Sequence, residues 1–394
     1  MPPATIIFFL CFAIIAWFRF HLALALLFFL LPAYIIRFHL GPIPTTMLEI
    51  MLWIIFAVLL IHIIRPIGLI RLIVHSPLTL PISLFLLGAT ISVFSATDLR
   101  SALGEWKAFY VEPFLLFLVL TSTIRPISPI RPIGTTNTVL SALILSGLAV
   151  SLLAIYQHFT GWLVPPAFWA NGNSYRVTAW YGFPNGVGLF LAPLVPLASY
   201  LLIINSRMFK ERIRNHESGI MELFSLVVPL FMIPASLFAI VYAKSTGALI
   251  GLAAGLGMLL LFWKKTRWPA ITIAIIGLIS LISPIGPINS VRDELLLRDR
   301  SGQIRIAMWR EAAQLLRDRP ILGAGLASYD ERIKPYHTPV NGENIEIFHH
   351  PHNLFLTIWV NTGLIGLIGF IGLIDCYIAA AIVSGATCTS RRRR

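Results

Sequence analysis

Charge is what this chain lacks. Of 394 residues, 12% are Asp, Glu, Lys or Arg, while 57% are hydrophobic, and the mean hydropathy is +0.83. A soluble domain carries about 25% charged residues, so water on every side is excluded and an integral membrane protein is expected. Acidic residues are scarcest: 17 Asp and Glu stand against 30 Lys and Arg, a net charge of +13. In a soluble protein that excess would point to nucleic acid. Here no aromatic-basic platform accompanies it, and cytoplasmic loops of membrane proteins collect Lys and Arg to fix topology, so nucleic acid is not an expected partner. Cysteine is rare too. Cys11 and Cys376 lie in apolar runs and Cys388 beside the basic tail, so no disulfide framework or zinc site is implied. No Lys or Arg precedes the first apolar run, arguing for a retained span over a cleaved signal peptide.

What is present is a series of apolar runs. A helix crosses a bilayer with roughly 20 apolar residues, and the candidate spans are 4–18, 22–40, 47–64, 78–96, 108–121, 138–158, 186–204, 223–242, 247–263, 268–283 and 353–376. The expected fold is therefore all-α: a polytopic transmembrane helix bundle of about eleven spans, with ten or twelve also compatible, and one large external loop containing short interfacial helices. Residues 1–283 supply ten spans with short loops, 284–352 the polar loop, and 353–394 the final span and a basic cytoplasmic tail. Basic residues concentrate on one set of alternate loops, including Arg207, Lys210, Arg212, Arg214, Lys264, Lys265, Arg267 and Arg391 to Arg394. The positive-inside rule puts that set in the cytoplasm, so segment 284–352 faces out. Ile64-Arg65-Pro66-Ile67, Ile124-Arg125-Pro126-Ile127 and Ile130-Arg131-Pro132-Ile133 read as cytoplasmic turns, where proline stops the helix and arginine anchors at headgroups.

Two external segments carry polar chemistry. Segment 159–185 is rich in aromatics (Trp162, Phe168, Trp169, Tyr175, Trp180, Tyr181, Phe183), as an interfacial belt would be. A belt does not account for Arg176, which has no obvious acidic partner in the sequence and suggests an anionic ligand. Pro184 can begin the next helix, with Asn185 and Gly186 letting it start tightly. In segment 284–352, residues 303–318 place Ile304, Ala307, Met308, Ala312 and Leu315 on one stripe, a helix expected to lie at the interface. It ends at Arg319-Pro320, and Gly323-Ala324-Gly325 follows as a flexible turn. Arg305 and Arg310 on this helix have an alternative in contacts with lipid phosphates.

The segment ends in His349-His350-Pro351-His352-Asn353. Pro351 and Asn353 put His352 at the start of the final span, where the positive end of the helix dipole opposes imidazolium. A neutral ring near pH 7 is what a general base requires. A metal site is the other reading of a histidine cluster, but no carboxylate stands at ligand spacing, and neither metal nor cofactor is expected.

These residues resemble the O-antigen ligase and O-antigen polymerase family of bacterial membrane glycosyltransferases. The resemblance rests on Arg176 with Phe183-Pro184-Asn185, on Lys244-Ser245-Thr246-Gly247, on Ser301 to Trp309 with Arg305 continuing to Pro320-Ile321-Leu322-Gly323-Ala324-Gly325, and on His352-Asn353 followed nine residues later by Gly363-Leu364-Ile365-Gly366. It implies a multi-pass protein of the bacterial cell membrane whose active site faces the periplasm or exterior. The donor would be a glycan on undecaprenyl diphosphate, and the acceptor a glycan or lipid hydroxyl. Arg176 and Arg305 would hold the diphosphate and His352 would activate the acceptor, with Asn185, Arg310, His350 and Asn353 as secondary candidates. At the external turn the family often has Ser-Arg-Gly where this chain has Ser245-Thr246-Gly247. Lys244 beside it brings charge but not a planar bidentate contact.

The chemistry agrees with the resemblance. A departing diphosphate gathers negative charge, and arginine forks can pair with its oxygens without a metal. No Asp-x-Asp motif is present. Attack opposite the leaving group inverts the anomeric centre. This reading requires Arg176, Arg305 and His352 to line one outward-facing cavity. A transporter or flippase of lipid-linked sugars is the alternative, and it calls for charge at mid-membrane depth and inverted repeats. Few charges fall inside the spans, Asp375 being the main exception, and no repeat halves are visible. Polymerase and ligase share these residues, and the sequence does not name the acceptor as a growing glycan, a lipid core or a protein.

Overall fold

The computed structural model describes residues 3–41, 43–63, 76–124, 132–165, 169–170, 175–214, 220–262, 265–282, 292–293 and 296–391. In chain order it comprises α1 (Pro3–Phe18), α2 (Phe20–Phe29), β1 (Arg37–Leu40), β2 (Ile43–Thr46), α3 (Met47–Val58), α4 (Thr79–Phe94), α5 (Leu99–Trp106), α6 (Glu112–Ile124), α7 (Pro132–Thr160), α8 (Pro184–Arg214), α9 (Ile220–Tyr242), α10 (Thr246–Phe262), α11 (Arg267–Ile282), α12 (Arg300–Asp318), α13 (Tyr329–Ile333) and α14 (Leu354–Arg391). Among the described residues the chain is all-α apart from the β1–β2 hairpin, which pairs Arg37 with Thr46 and Leu40 with Ile43.

Each apolar run marked in the sequence carries helix. Among the described residues four stretches, Asn137–Thr160, Pro184–Ser206, Leu223–Tyr242 and Leu354–Ala380, are long and apolar enough to cross a membrane. The expected span 22–40 is cut short. Its helix stops at Phe29, a 3-10 turn with Pro32 in its first turn follows, and residues 37–40 pair as a strand. Proline lacks the N–H that would continue the ladder. The turns at Arg65-Pro66-Ile67 and at residues 125–131, and the tail beyond Arg391, lie outside the described residues.

Two compact units divide the chain. The first is Met1–Val58 with Thr123–Gly286, and the second is Leu59–Ser122 with Pro287–Arg394. In the first, α7, α8 and α9 bury Ile144, Leu191, Val195, Met232 and Ile240 against one another. The hydroxyls of Ser151 and Ser236 meet at 2.9 Å between α7 and α9, so these two buried groups satisfy each other.

In the second unit α4 lies along α14. A Cβ on Gly88 would come within 2.8 Å of the Thr362 carbonyl oxygen, so the absence of a side chain there sets how closely the two backbones approach. The expected amphipathic helix forms as α12, capped by Asp299, whose Oδ1 accepts from the Gly302 amide at 3.1 Å, and it ends at Asp318 before Arg319-Pro320. Its apolar stripe, however, is covered by protein. Ala312, Leu315 and Leu316 pack on Tyr329, Ile333 and Val360, because the rest of the polar segment folds back and supplies apolar side chains of its own.

Candidate functional site

The sequence-predicted residues fall into one cluster in each unit. In the second unit the organising element is a break in α14. At Gly363 the backbone leaves helical geometry (φ 67, ψ −175), and the segment after α12 fills the gap. Ala324 donates its amide to the Val360 carbonyl oxygen at 2.7 Å, and the Leu364 amide donates to the Ile321 carbonyl oxygen at 2.9 Å. The groups orphaned by the break are thus re-bonded within the protein. Gly323 to Gly325 is therefore a buried splice rather than the flexible turn expected, and Ala324 has no exposed surface. The nine residues between Asn353 and Gly363 are the helical piece between the cap and the break.

Asn353 is that cap. Its Oδ1 accepts from the Leu356 amide at 3.2 Å, and its carbonyl oxygen accepts from Thr357 at 2.8 Å. Because asparagine takes the N-cap well, His352 stands one residue outside the helix and Pro351 two, which corrects the expected first-turn placement. His352 adopts a left-handed backbone (φ 50), a conformation that costs a non-glycine residue about 1–2 kcal/mol.

Neighbouring groups hold the segment in place. Trp309 on α12 donates its indole N–H to the Pro351 carbonyl oxygen at 2.9 Å. The rings of His350 and His352 meet edge-on at 4.4 Å, and Phe348 approaches His352 at 5.1 Å. Both histidines stay open at the rim, yet the protein crowding their rings holds each pKa below the ordinary histidine value. For His352 desolvation is the largest cause, followed by the charges of His350 and Arg305; for His350 it is desolvation, then His349. The neutral ring expected from the sequence is thus favoured, by crowding and nearby positive groups. Arg305 and Trp309, four apart on α12, share the side of the helix that serves His352. Arg310 does not join them: it lines a groove that neither Arg305 nor His352 lines.

The other cluster is in the first unit. Gln157, fully buried at the end of α7, donates to the Ala179 carbonyl oxygen at 3.0 Å and accepts from the Thr178 and Ala179 amides at 3.1 and 2.7 Å. That clamp fixes the segment on which Arg176 sits. Arg176 Nε donates to the Ala243 carbonyl oxygen at 2.8 Å. One terminal nitrogen donates to Asn185 Oδ1 at 3.1 Å and to the Lys244 carbonyl oxygen at 3.0 Å, and Trp169 lies 5.2 Å beneath the guanidinium carbon. These three accepting oxygens are neutral, so they orient the guanidinium without cancelling its charge. Asn185 is the second residue of α8, which begins at Pro184 as expected. Lys244 is exposed with φ 47, and it meets Arg176 through its backbone oxygen.

Glu105 on α5 is a residue the sequence reading missed. Its carboxylate accepts from the Ala327 amide at 2.7 Å and from Asn361 Nδ2 at 3.1 Å, and burial raises its pKa against the opposing pull of the Ala327 amide. An acid inside Ala102-Leu103-Gly104-Glu105-Trp106 is a signal in itself, since such groups persist near membranes only with partners. Among the described residues, no group of three His, Cys, Asp or Glu comes together as a metal site would require.

Residues 230–371 match the profile of a family described as O-antigen ligase. The matched stretch holds Lys244, Arg305, Arg310, His350, His352 and Asn353, and leaves out Arg176 and Asn185. No curated protein and no solved structure matches the chain.

Proposed function

We propose that this membrane protein, whose residues 230–371 carry an O-antigen ligase family domain, moves a glycan from an undecaprenyl diphosphate carrier to a hydroxyl of a glycan or lipid acceptor. The observation that carries the reading is His352. An imidazole held just before its helix by the Asn353 cap and by Trp309, beside Arg305, has its pKa pushed down so that it is neutral near pH 7. That is the state in which it can accept a proton.

The reaction follows from those groups. His352 takes the proton of the acceptor hydroxyl as its oxygen attacks the anomeric carbon. The bond from that carbon to the diphosphate oxygen breaks on the opposite face, the configuration inverts, and the lipid diphosphate leaves with the electron pair. The imidazolium then returns its proton to solvent. Arg305 serves twice: its charge disfavours imidazolium before attack, and its fork meets the charge growing on the leaving diphosphate. Arg176, oriented by Asn185 and the Lys244 carbonyl oxygen, is assigned to donor binding, and no metal or cofactor enters the scheme. In this reading the apolar helices form about eleven spans of the bacterial cell membrane. Segment 284–352 lies on the periplasmic or external side, between the ten-span region 1–283 and the last span with its basic tail.

The test is transfer from a defined undecaprenyl diphosphate oligosaccharide to each acceptor class, with products identified by mass. Wild type yields the joined product and His352→Ala does not; near-normal turnover by the alanine variant would refute the assignment.

A further inference from the structure

On α12, away from Arg305 and Trp309, a groove of about 420 Å³ opens between the helix and residues 336–341. Its size falls within the roughly 300–1,000 Å³ of small-ligand sites. Its polar lining is Gln303, Arg310, Glu311, Gln314, Tyr336, Thr338 and Asn341. On the basis of this lining we propose that the groove is a saccharide subsite that holds a sugar of the glycan distant from the bond being made. The proposal rests on the glycosyltransferase reading given above.

The chemistry selects a sugar. Amide side chains both donate and accept, as sugar hydroxyls do, and three of the seven polar lining residues are amides. A tyrosine offers an apolar ring beside them. The groove's charged groups are the guanidinium of Arg310 and the carboxyl of Glu311, one of each sign. A diphosphate or an anionic lipid surface calls for a cluster of cations, which the lining does not provide.

The walls are fixed in advance. Asn341 (φ 53) and Gly342 (φ 80) form a tight turn, closed by reciprocal amide–carbonyl bonds of 3.0 Å between Val340 and Glu343. Positive φ at both central residues is the Asn-Gly hairpin geometry. Asn341 Nδ2 donates to Gln303 Oε1 at 2.6 Å, and Arg300 pairs with Glu343 at 2.6 Å. Thr338 donates its amide at 2.9 Å and its hydroxyl at 3.2 Å to Glu311, and the Tyr336 hydroxyl donates to Asp318. Polar groups held in position before a ligand arrives lower the ordering cost of binding. Because this face of α12 is not the face that serves His352, the sugar it holds is not the one whose anomeric carbon reacts.

The experiment uses the full chain in lipid nanodiscs. The probe is the oligosaccharide released by mild acid from the lipid-linked glycans of the producing cells, and binding is followed by saturation-transfer NMR. Gln314→Trp fills the groove and is expected to weaken binding about tenfold or more, with thermal unfolding unchanged; Asn341→Ala, at an exposed turn, carries the test if the tryptophan variant fails to fold. In the transfer assay the groove variants raise the acceptor or donor KM and leave kcat near wild type. His352→Ala keeps the binding signal and loses turnover, so an active alanine variant sinks the catalytic reading while leaving the groove result standing. Absence of binding to wild type, equal affinity in the groove variants, or a groove variant that instead loses binding to phosphatidylglycerol vesicles overturns the proposal.

Discussion

The indole nitrogen of Trp309 donates to the carbonyl oxygen of Pro351 at 2.9 Å, joining α12 to the backbone immediately before His352. It links two stretches of the polar segment that are 42 residues apart. Trp309→Phe keeps an aromatic ring and removes only the donor. A hydrogen bond of this kind contributes about 1 kcal/mol, so thermal unfolding should fall slightly. Turnover should fall more than KM rises, because in the proposed mechanism the misplaced group is the base and not a binding contact.

Arg305 disfavours the protonated state of His352, and so does His350, both after the larger effect of desolvation. A base with a depressed pKa is deprotonated at lower pH, so the acid limb of the rate profile lies below the ordinary histidine value. Arg305→Gln removes a positive charge and should move that limb to higher pH, along with a weaker use of donor. The measurement is kcat against pH for both proteins; a limb that stays in place would separate Arg305 from the base.

Glu105 provides a second pH dependence, in stability. Its pKa is raised in the folded protein, chiefly by burial, so the folded state holds this proton more tightly than the unfolded chain does. The resulting stabilisation is fully present below the ordinary glutamate pKa and is lost as pH rises through the elevated folded value. Unfolding temperature measured across that window should decline for the wild type from this source, and Glu105→Gln should flatten the decline.

Gly363 holds φ at 67 where α14 breaks, and a Cβ there would run into the Ile321 carbonyl oxygen. Gly363→Ala should cost more than the roughly 1–2 kcal/mol of the left-handed conformation alone, because the splice must also move. Gly247→Ala, with nothing within 4 Å of the added methyl, is the control. Yields of folded protein from membranes should separate the two.

The sequence made the helices legible because each apolar run is local: a stretch of side chains declares its environment without reference to distant residues. Helix α12 was readable for the same reason, its stripe recurring every third or fourth position and its end marked by Arg319-Pro320. Span 22–40 misled because hydrophobicity cannot distinguish a helix from the turn and hairpin that Pro32 begins. His352 was found through its neighbours, but its place outside the helix turned on whether Asn353 or an earlier residue took the cap.

What the amino-acid order determined, then, is the class of molecule and the identity of its chemically suited residues: membrane helices, arginines for an anion, a histidine for a proton. Only the tertiary structure decided their company. It gave Arg176 three neutral acceptors and a supporting indole, set Arg305 and Trp309 beside His352, sent Arg310 to another groove, and spliced Pro320–Gly325 into the break of α14. Those contacts form between positions far apart in the chain, where packing and hydrogen-bond satisfaction act together and no short stretch of sequence carries the answer.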